Sequence, residues 1–194
     1  MKPSFASRFI IFGRVNASDR KIASGCRART SPIIHSQKGS GFELCEGTPI
    51  PGKEEYFDSE KYEIRAWDWN RPGNIRVHIK RLNQIRRDNP ALHDFRNLRF
   101  YNAYNDQILL YGKMTPSMDN AILIAVNLDP RAAQGGDFEV PLWEFGLPDS
   151  ASIGVEDLLG GATFQWHGKM QRIHLDPQTN PCAIWRLTPA RAKP

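Results

Sequence analysis

Ala121-Ile122-Leu123-Ile124-Ala125-Val126 is the stretch on which the fold turns. Six apolar residues stand in a row, with Asp119-Asn120 before them and Asn127-Leu128-Asp129-Pro130 after them. A run this short and this rich in β-branched residues predicts a strand. Having no polar alternation, it belongs in the middle of a sheet rather than at an edge. Outward from it the period is two. Leu98–Tyr101, Gln107–Tyr111, Phe138–Leu142, Ala162–Trp166, Arg172–Leu175 and Ala183–Leu187 all read as strands. Tyr104-Asn105-Asp106, Asp129-Pro130, Gln134-Gly135-Gly136, Gly160-Gly161 and Asp176-Pro177 read as the turns between them. Pro141 has no N–H to give a ladder, which demotes its strand to an edge. Short strands with regular turn punctuation predict an antiparallel β-sandwich.

Upstream the period changes to that of a helix. Ile75, Ile79, Leu82 and Ile85 form one apolar stripe, which predicts a helix over residues 74–88. Asn74 is placed to cap its start, and Pro90 stops it while pushing Asn89 out of helical geometry. Arg76, Lys80, Arg81, Arg86 and Arg87 lie largely off the stripe and read as a solvated face. Arg86 and Arg87 also suit the negative end of the helix dipole. Residues 39–73 form a long connection rich in Gly, Pro and charge, with a very short strand plausible at Phe42-Glu43-Leu44.

Charge is unevenly spread. The whole chain of 194 residues carries a net charge of +5. Residues 1–40 hold eight basic side chains against one acid, Asp19, which leaves 18 basic against 20 acidic side chains in the rest. A nucleic-acid interface built on the folded part is therefore disfavoured, and only residues 1–40 could drive one. Residues 1–38 have no sustained period. They read as a transit peptide or, preferably, as a loose tail from a truncated or mis-started frame. No apolar run approaches the roughly 20 residues needed to span a bilayer. Cys26, Cys45 and Cys182 are odd in number and far apart. This argues against a disulfide framework or a zinc site and suits a reducing cytoplasm. No cofactor or metal motif is expected.

Three stretches together resemble one family. They are Ser40-Gly41-Phe42-Glu43-Leu44-Cys45-Glu46, then Glu54 to Arg65 followed by Trp67-Asp68 and Asn70-Arg71-Pro72-Gly73-Asn74-Ile75, and finally Ile85-Arg86-Arg87-Asp88-Asn89-Pro90-Ala91-Leu92. The second is long and distinctive. It resembles the α-1,4-glucan:maltose-1-phosphate maltosyltransferases of glycoside hydrolase family 13, in the α-amylase superfamily. Val126-Asn127-Leu128-Asp129-Pro130, Val155-Glu156-Asp157-Leu158-Leu159 and Tyr111-Gly112-Lys113 also fit.

The resemblance implies a mainly β chain, a C-terminal β-sandwich preceded by the last strand and helix of a (β/α)8 barrel. Residues 1–38 would be a basic, poorly ordered segment, 39–95 the end of the barrel, 96–188 the sandwich and 189–194 a tail. It further implies a retaining transfer of maltose from maltose 1-phosphate to an α-1,4-glucan. That chemistry uses an aspartate nucleophile, a glutamate acid/base and a second aspartate, all upstream of Phe42-Glu43-Leu44. No catalytic residue is carried over, so inactivity of the chain alone is expected. Substrate-contacting residues are implied at Glu60, Lys61 and Tyr62, on the catalytic face of the barrel.

Two alternatives stand beside this. One is a carbohydrate-binding module working through exposed tryptophans, Trp143 or Trp166. The other is nucleic-acid binding through residues 1–40. Self-association through the apolar helix stripe is a further expectation, as is poor order in residues 1–70.

Overall fold

The computed structural model describes residues 68–70 and 72–189. The expected strand at Phe42-Glu43-Leu44 lies outside the described residues, as does all but residues 68–70 of the segment 1–70 expected to be poorly ordered.

The helix, α1, spans Arg76–Asp88. Asn74 serves its start from one position before the N-cap, its Oδ1 accepting the Arg76 N–H at 3.2 Å. At the other end Asn89 is extended, as the residue before a proline must be, and Pro90–Leu92 form a single 3-10 turn. The last turn keeps its basic pair, Arg86 and Arg87.

Eight strands follow among the described residues: β1 Leu98–Phe100, β2 Ile108–Met114, β3 Ala121–Asn127, β4 Gln134–Glu139, β5 Ser152–Asp157, β6 Thr163–His167, β7 Met170–Leu175 and β8 Cys182–Pro189. Six of them form one antiparallel sheet in the order β1-β2-β3-β8-β5-β6, and β4 pairs with β7 in a second. The expected sandwich is thus the observed architecture. β3 sits between β2 and β8 and is paired on both sides, as its unbroken apolar run requires.

The reason for that run is visible in the packing. Ala121, Leu123 and Ala125 point into the space between the sheets, where they meet Phe138, Val140, Leu142, Ile173 and Leu175. Ile122 and Ile124 point the other way, into a second core with Tyr111, Leu158, Ile184, Ile85, Ala91 and Leu92. That second core is roofed by the end of α1 and the 3-10 turn. The helix stripe therefore finds its cover inside the chain: Ile75 and Ile85 are buried, and Ile79 and Leu82 half-buried.

Between the sheets, Tyr101 to Tyr104 crosses from one to the other. Tyr101 N–H donates to Leu110 O at 3.1 Å, and Tyr104 N–H donates to Asp137 O at 2.9 Å.

Two elements depart from the sequence expectations. β5 was not expected, and β4 begins at Gln134, where a turn was expected, and ends before Pro141. The glycines of β4 are there for close approach rather than for turning. A Cβ on Gly136 would lie 3.1 Å from the Cβ of Asn105, and one on Gly135 would lie 3.3 Å from Ile173 O. Pro141 ends the ladder because it cannot donate, and Leu142–Phe145 coil into a 3-10 turn instead.

Candidate functional site

The residues expected to touch substrate, Glu60, Lys61 and Tyr62, lie outside the described residues. What is described is the anchor a few residues downstream. Asp68 Oδ1 accepts the Asn70 N–H at 3.0 Å. Arg76 donates from Nη1 to Trp69 O at 2.7 Å, and its guanidinium carbon stands 5.1 Å from the centre of the Trp69 ring. A planar cation over an indole face is a favourable contact, so the chain entering α1 is held to the helix itself.

α1 is in turn fastened to the sheet by polar contacts. Arg81 donates to Leu158 O at 2.6 Å. Asn89 donates to Ile85 O at 2.8 Å, Asn120 donates to Asn89 Oδ1 at 3.0 Å, and Asn120 Oδ1 accepts the Ala91 N–H at 3.0 Å. Both asparagines are buried, and each amide is satisfied by the other or by backbone. Arg76 and Arg81 are thus not part of a merely solvated face, as the sequence suggested. They tie the helix at its two sides.

The tryptophans of the sandwich divide sharply. Trp185 is buried and stacks on Phe138 with ring centres 5.6 Å apart, and Trp166 meets both edge-on at 5.0 and 5.4 Å. These two are core, so Trp166 is half-removed from any sugar. Trp143 remains 46% exposed.

Trp143 belongs to a small constellation that the sequence did not single out. The ring of Tyr101 meets it edge-on at 5.9 Å and 74°. Glu144, next along the chain, accepts a hydrogen bond from Arg99, and its other oxygen lies 3.4 Å from the Tyr101 hydroxyl. Burial, followed by the negative Glu144, pushes the Tyr101 phenol well above its ordinary value, so it stays protonated and able to donate. The hydrogen bond to Glu144 raises the Arg99 guanidinium further. Gly146, at φ +66°, closes the 3-10 turn that presents Trp143 and Glu144.

Several of the described carboxylates have partners. Glu156 is bound by Arg186, Asp137 by Arg172 at 2.9 Å, Asp149 by Lys169 at 2.8 Å, and Glu139 accepts from the Tyr104 hydroxyl at 2.6 Å. Among the described residues no group of three or more His, Cys, Asp or Glu side chains could hold a metal ion. Among the same residues no helix is long and apolar enough to cross a membrane.

Residues 100–187 match the family described as "GLGE, C-terminal". The chain is 61% identical over 148 residues to an α-1,4-glucan:maltose-1-phosphate maltosyltransferase of Cereibacter sphaeroides. It is 55% identical over 148 residues to the enzyme of that name from Pseudomonas aeruginosa. Each alignment covers 76% of this chain and 22% of the relative, so the chain spans about a fifth of the length of these proteins. An α-amylase from Geobacillus thermoleovorans is similar in structure at a TM-score of 0.46 and 18% identity, over 66% of this chain and 26% of that one.

Proposed function

In sequence the chain belongs with the C-terminal part of the α-1,4-glucan:maltose-1-phosphate maltosyltransferases, and from that premise we propose that it works as the supporting module of such an enzyme. The observation that carries this reading is an identity of 61% sustained over 148 residues. Residues 39–95 then complete a barrel, and residues 96–188 form the sandwich that braces its last helix. The reaction is transfer of maltose from maltose 1-phosphate to an α-1,4-glucan in the cytoplasm. The chain contributes Glu60, Lys61 and Tyr62 to the donor sugar, where a carboxylate and an ammonium side by side suit hydroxyls that both donate and accept. The catalytic acids come from elsewhere in the longer enzyme.

Exposed apolar residues support a covering partner. Val77 and Phe95 are each 76% exposed, Phe100 64% and Leu98 40%. Leu98 and Phe100 alternate along β1, so they share one face, and Phe100 leans on Tyr111 of the core under α1. This surface meets the remainder of the enzyme, or, when the chain is alone, a second copy of itself.

The test is reconstitution in trans. The purified chain is mixed with the Cereibacter sphaeroides enzyme lacking its own matching C-terminal residues, and phosphate release from maltose 1-phosphate is followed. The expected result is no release by either piece alone and release by the mixture. Release by this chain alone would overturn the reading, as would a mixture that stays silent although both pieces are folded and associate.

A further inference from the structure

We propose that β6, Thr163–His167, is an open sheet edge at which two copies of this chain join, antiparallel and about a two-fold axis at Gln165. The proposal stands on the sheet alone and not on the maltosyltransferase reading.

The large sheet ends at β6, which pairs with β5 and, among the described residues, has no strand on its other side. The phase of that pairing decides which backbone groups look outward. Asp157 N–H donates to Ala162 O at 2.8 Å, and Gly168 N–H donates to Ala151 O at 2.9 Å. Hydrogen-bonded positions alternate along an antiparallel ladder. Phe164 and Trp166 therefore bond to β5, while Thr163, Gln165 and His167 turn their N–H and C=O groups away from it. One outward group is engaged within the chain, since His167 O accepts from Gln171 Nε2 at 2.9 Å. The row as a whole is a template for another strand.

Charge, proline or shortness usually blunts such an edge. The other edge strands of this protein follow that rule. β1 is three residues long with Arg99 at its centre, β4 carries Asp137 and Glu139, and β7 carries Arg172. β6 runs for five residues without an Asp, Glu, Lys, Arg or Pro. Thr163, Gln165 and His167 are exposed, and Phe164 keeps 41% of its surface.

The sequence of β6 fits itself. When Gln165 faces Gln165 across the axis, Thr163 stands opposite the second copy's His167, and Phe164 opposite the second copy's Trp166. Gln165 with Gln165 and Thr163 with His167 are then hydrogen-bonded positions, so outward donors meet outward acceptors. Phe164 with Trp166 is the closer, non-hydrogen-bonded kind, which suits a pair of aromatic rings. No like charges meet in this register, and the contact is isologous and closes at two copies. An edge about 17 Å long buries less than the roughly 1,000 Å² of a stable interface, so the dimer is weak and forms with concentration.

The test is sedimentation equilibrium of the full chain at concentrations up to about 1 mM. The expected result is a monomer–dimer equilibrium. Gln165 stands beside Gly154 of β5, so its side chain can be exchanged without crowding a neighbour on that strand. Gln165→Lys and Gln165→Glu each bring two like charges to the axis and should raise the dissociation constant about fivefold. An equimolar mixture of the two at low salt should associate more tightly than either alone, because opposite charges then meet. Gln165→Pro removes the central N–H of both copies without touching the ladder to β5 and should abolish the dimer. Circular dichroism melts of each variant report whether the fold is intact. Phe100→Asp separates this edge from the apolar surface at Val77, Phe95, Leu98 and Phe100: association should persist in that variant and disappear when Gln165→Pro is added. A chain that stays monomeric throughout the range would overturn the proposal. So would a Gln165→Pro variant that associates as tightly as the unmodified chain, or a Lys and Glu mixture no tighter than its components.

Discussion

Gly112→Ala is the substitution for which the structure gives the sharpest number. Gly112 lies in β2 opposite Arg99 of β1 and Leu123 of β3. An added Cβ would sit 2.6 Å from Cε2 of Tyr101 and 3.2 Å from Ile122 O. The first distance is not tolerated by real atoms, so the Tyr101 ring has to move. It is not free to do so, because Trp143 abuts it and Glu144 is at its hydroxyl. Overpacking of this kind costs about 2 kcal/mol. For a folded unit of this size that corresponds to a fall in Tm of about 6–10 °C. Differential scanning fluorimetry and urea titration of the single variant measure the loss. A cycle with Tyr101→Ala then apportions it. If the ring is the obstacle, adding Gly112→Ala to Tyr101→Ala costs at least about 1 kcal/mol less than adding it to the unmodified chain. An unchanged Tm for Gly112→Ala would refute the reasoning. So would an undiminished penalty in the Tyr101→Ala background, which would place the conflict with the Ile122 carbonyl instead.

Three further outcomes are expected. Asn120→Ala removes the acceptor of the Ala91 N–H and the donor to Asn89; leaving those buried groups unpaired costs about 2–3 kcal/mol in urea unfolding, with α1 amides losing hydrogen-exchange protection before those of β3. Asp129 accepts from the Arg131 and Ala132 N–H groups and from Gln134, and the Arg131 bond in particular holds it below its ordinary value of 3.8. Its contribution is present above that value and is lost as pH falls through the lower folded one, so Asp129→Asn should flatten the acid limb of a Tm–pH curve without shifting its alkaline limb. The Cys182 thiol is buried, and that burial pushes it up to about 12; with Cys26 and Cys45 replaced by Ala, a thiol reagent at pH 8 should label the chain only in denaturant, and prompt labelling of the native chain would contradict the burial.

Much of this architecture was legible in the amino-acid order because it follows from local pattern. Ala121 to Val126 announced a central strand, and its lack of alternation now has a cause, since Leu123 and Ile124 feed different cores. The stripe from Ile75 to Ile85 announced α1, and Pro90 its end. β5 was hidden because only two apolar side chains, Ile153 and Val155, alternate in it, and the glycine between them and the polar residues beside them are poor strand signals. β4 was displaced because Gly135 and Gly136, read as a turn, are instead spaces for Ile173 and Asn105. Trp143 was named from the sequence, but the neighbours that gather round it, Arg99, Tyr101 and Glu144, had no sequence signal. Arg99 and Glu144 are 45 positions apart, and only the return of the chain past β4 sets the 3-10 turn beside β1. Pairings of that range are decided by topology and cannot be read from periodicity.

The second core, beneath α1, bears on where this protein can be divided. The match to the family described as "GLGE, C-terminal" begins at residue 100, and that boundary invites a cut close to the first strand. A piece starting there would strip Ile85, Ala91 and Leu92 from the sheet and leave Tyr111, Ile122, Ile124 and Ile184 open to water. Such a piece should precipitate or stick to itself, whereas one beginning ahead of Arg76 keeps its own lid. The start of that match and the seam along which the polypeptide can be parted are therefore different places, some 25 residues from one another.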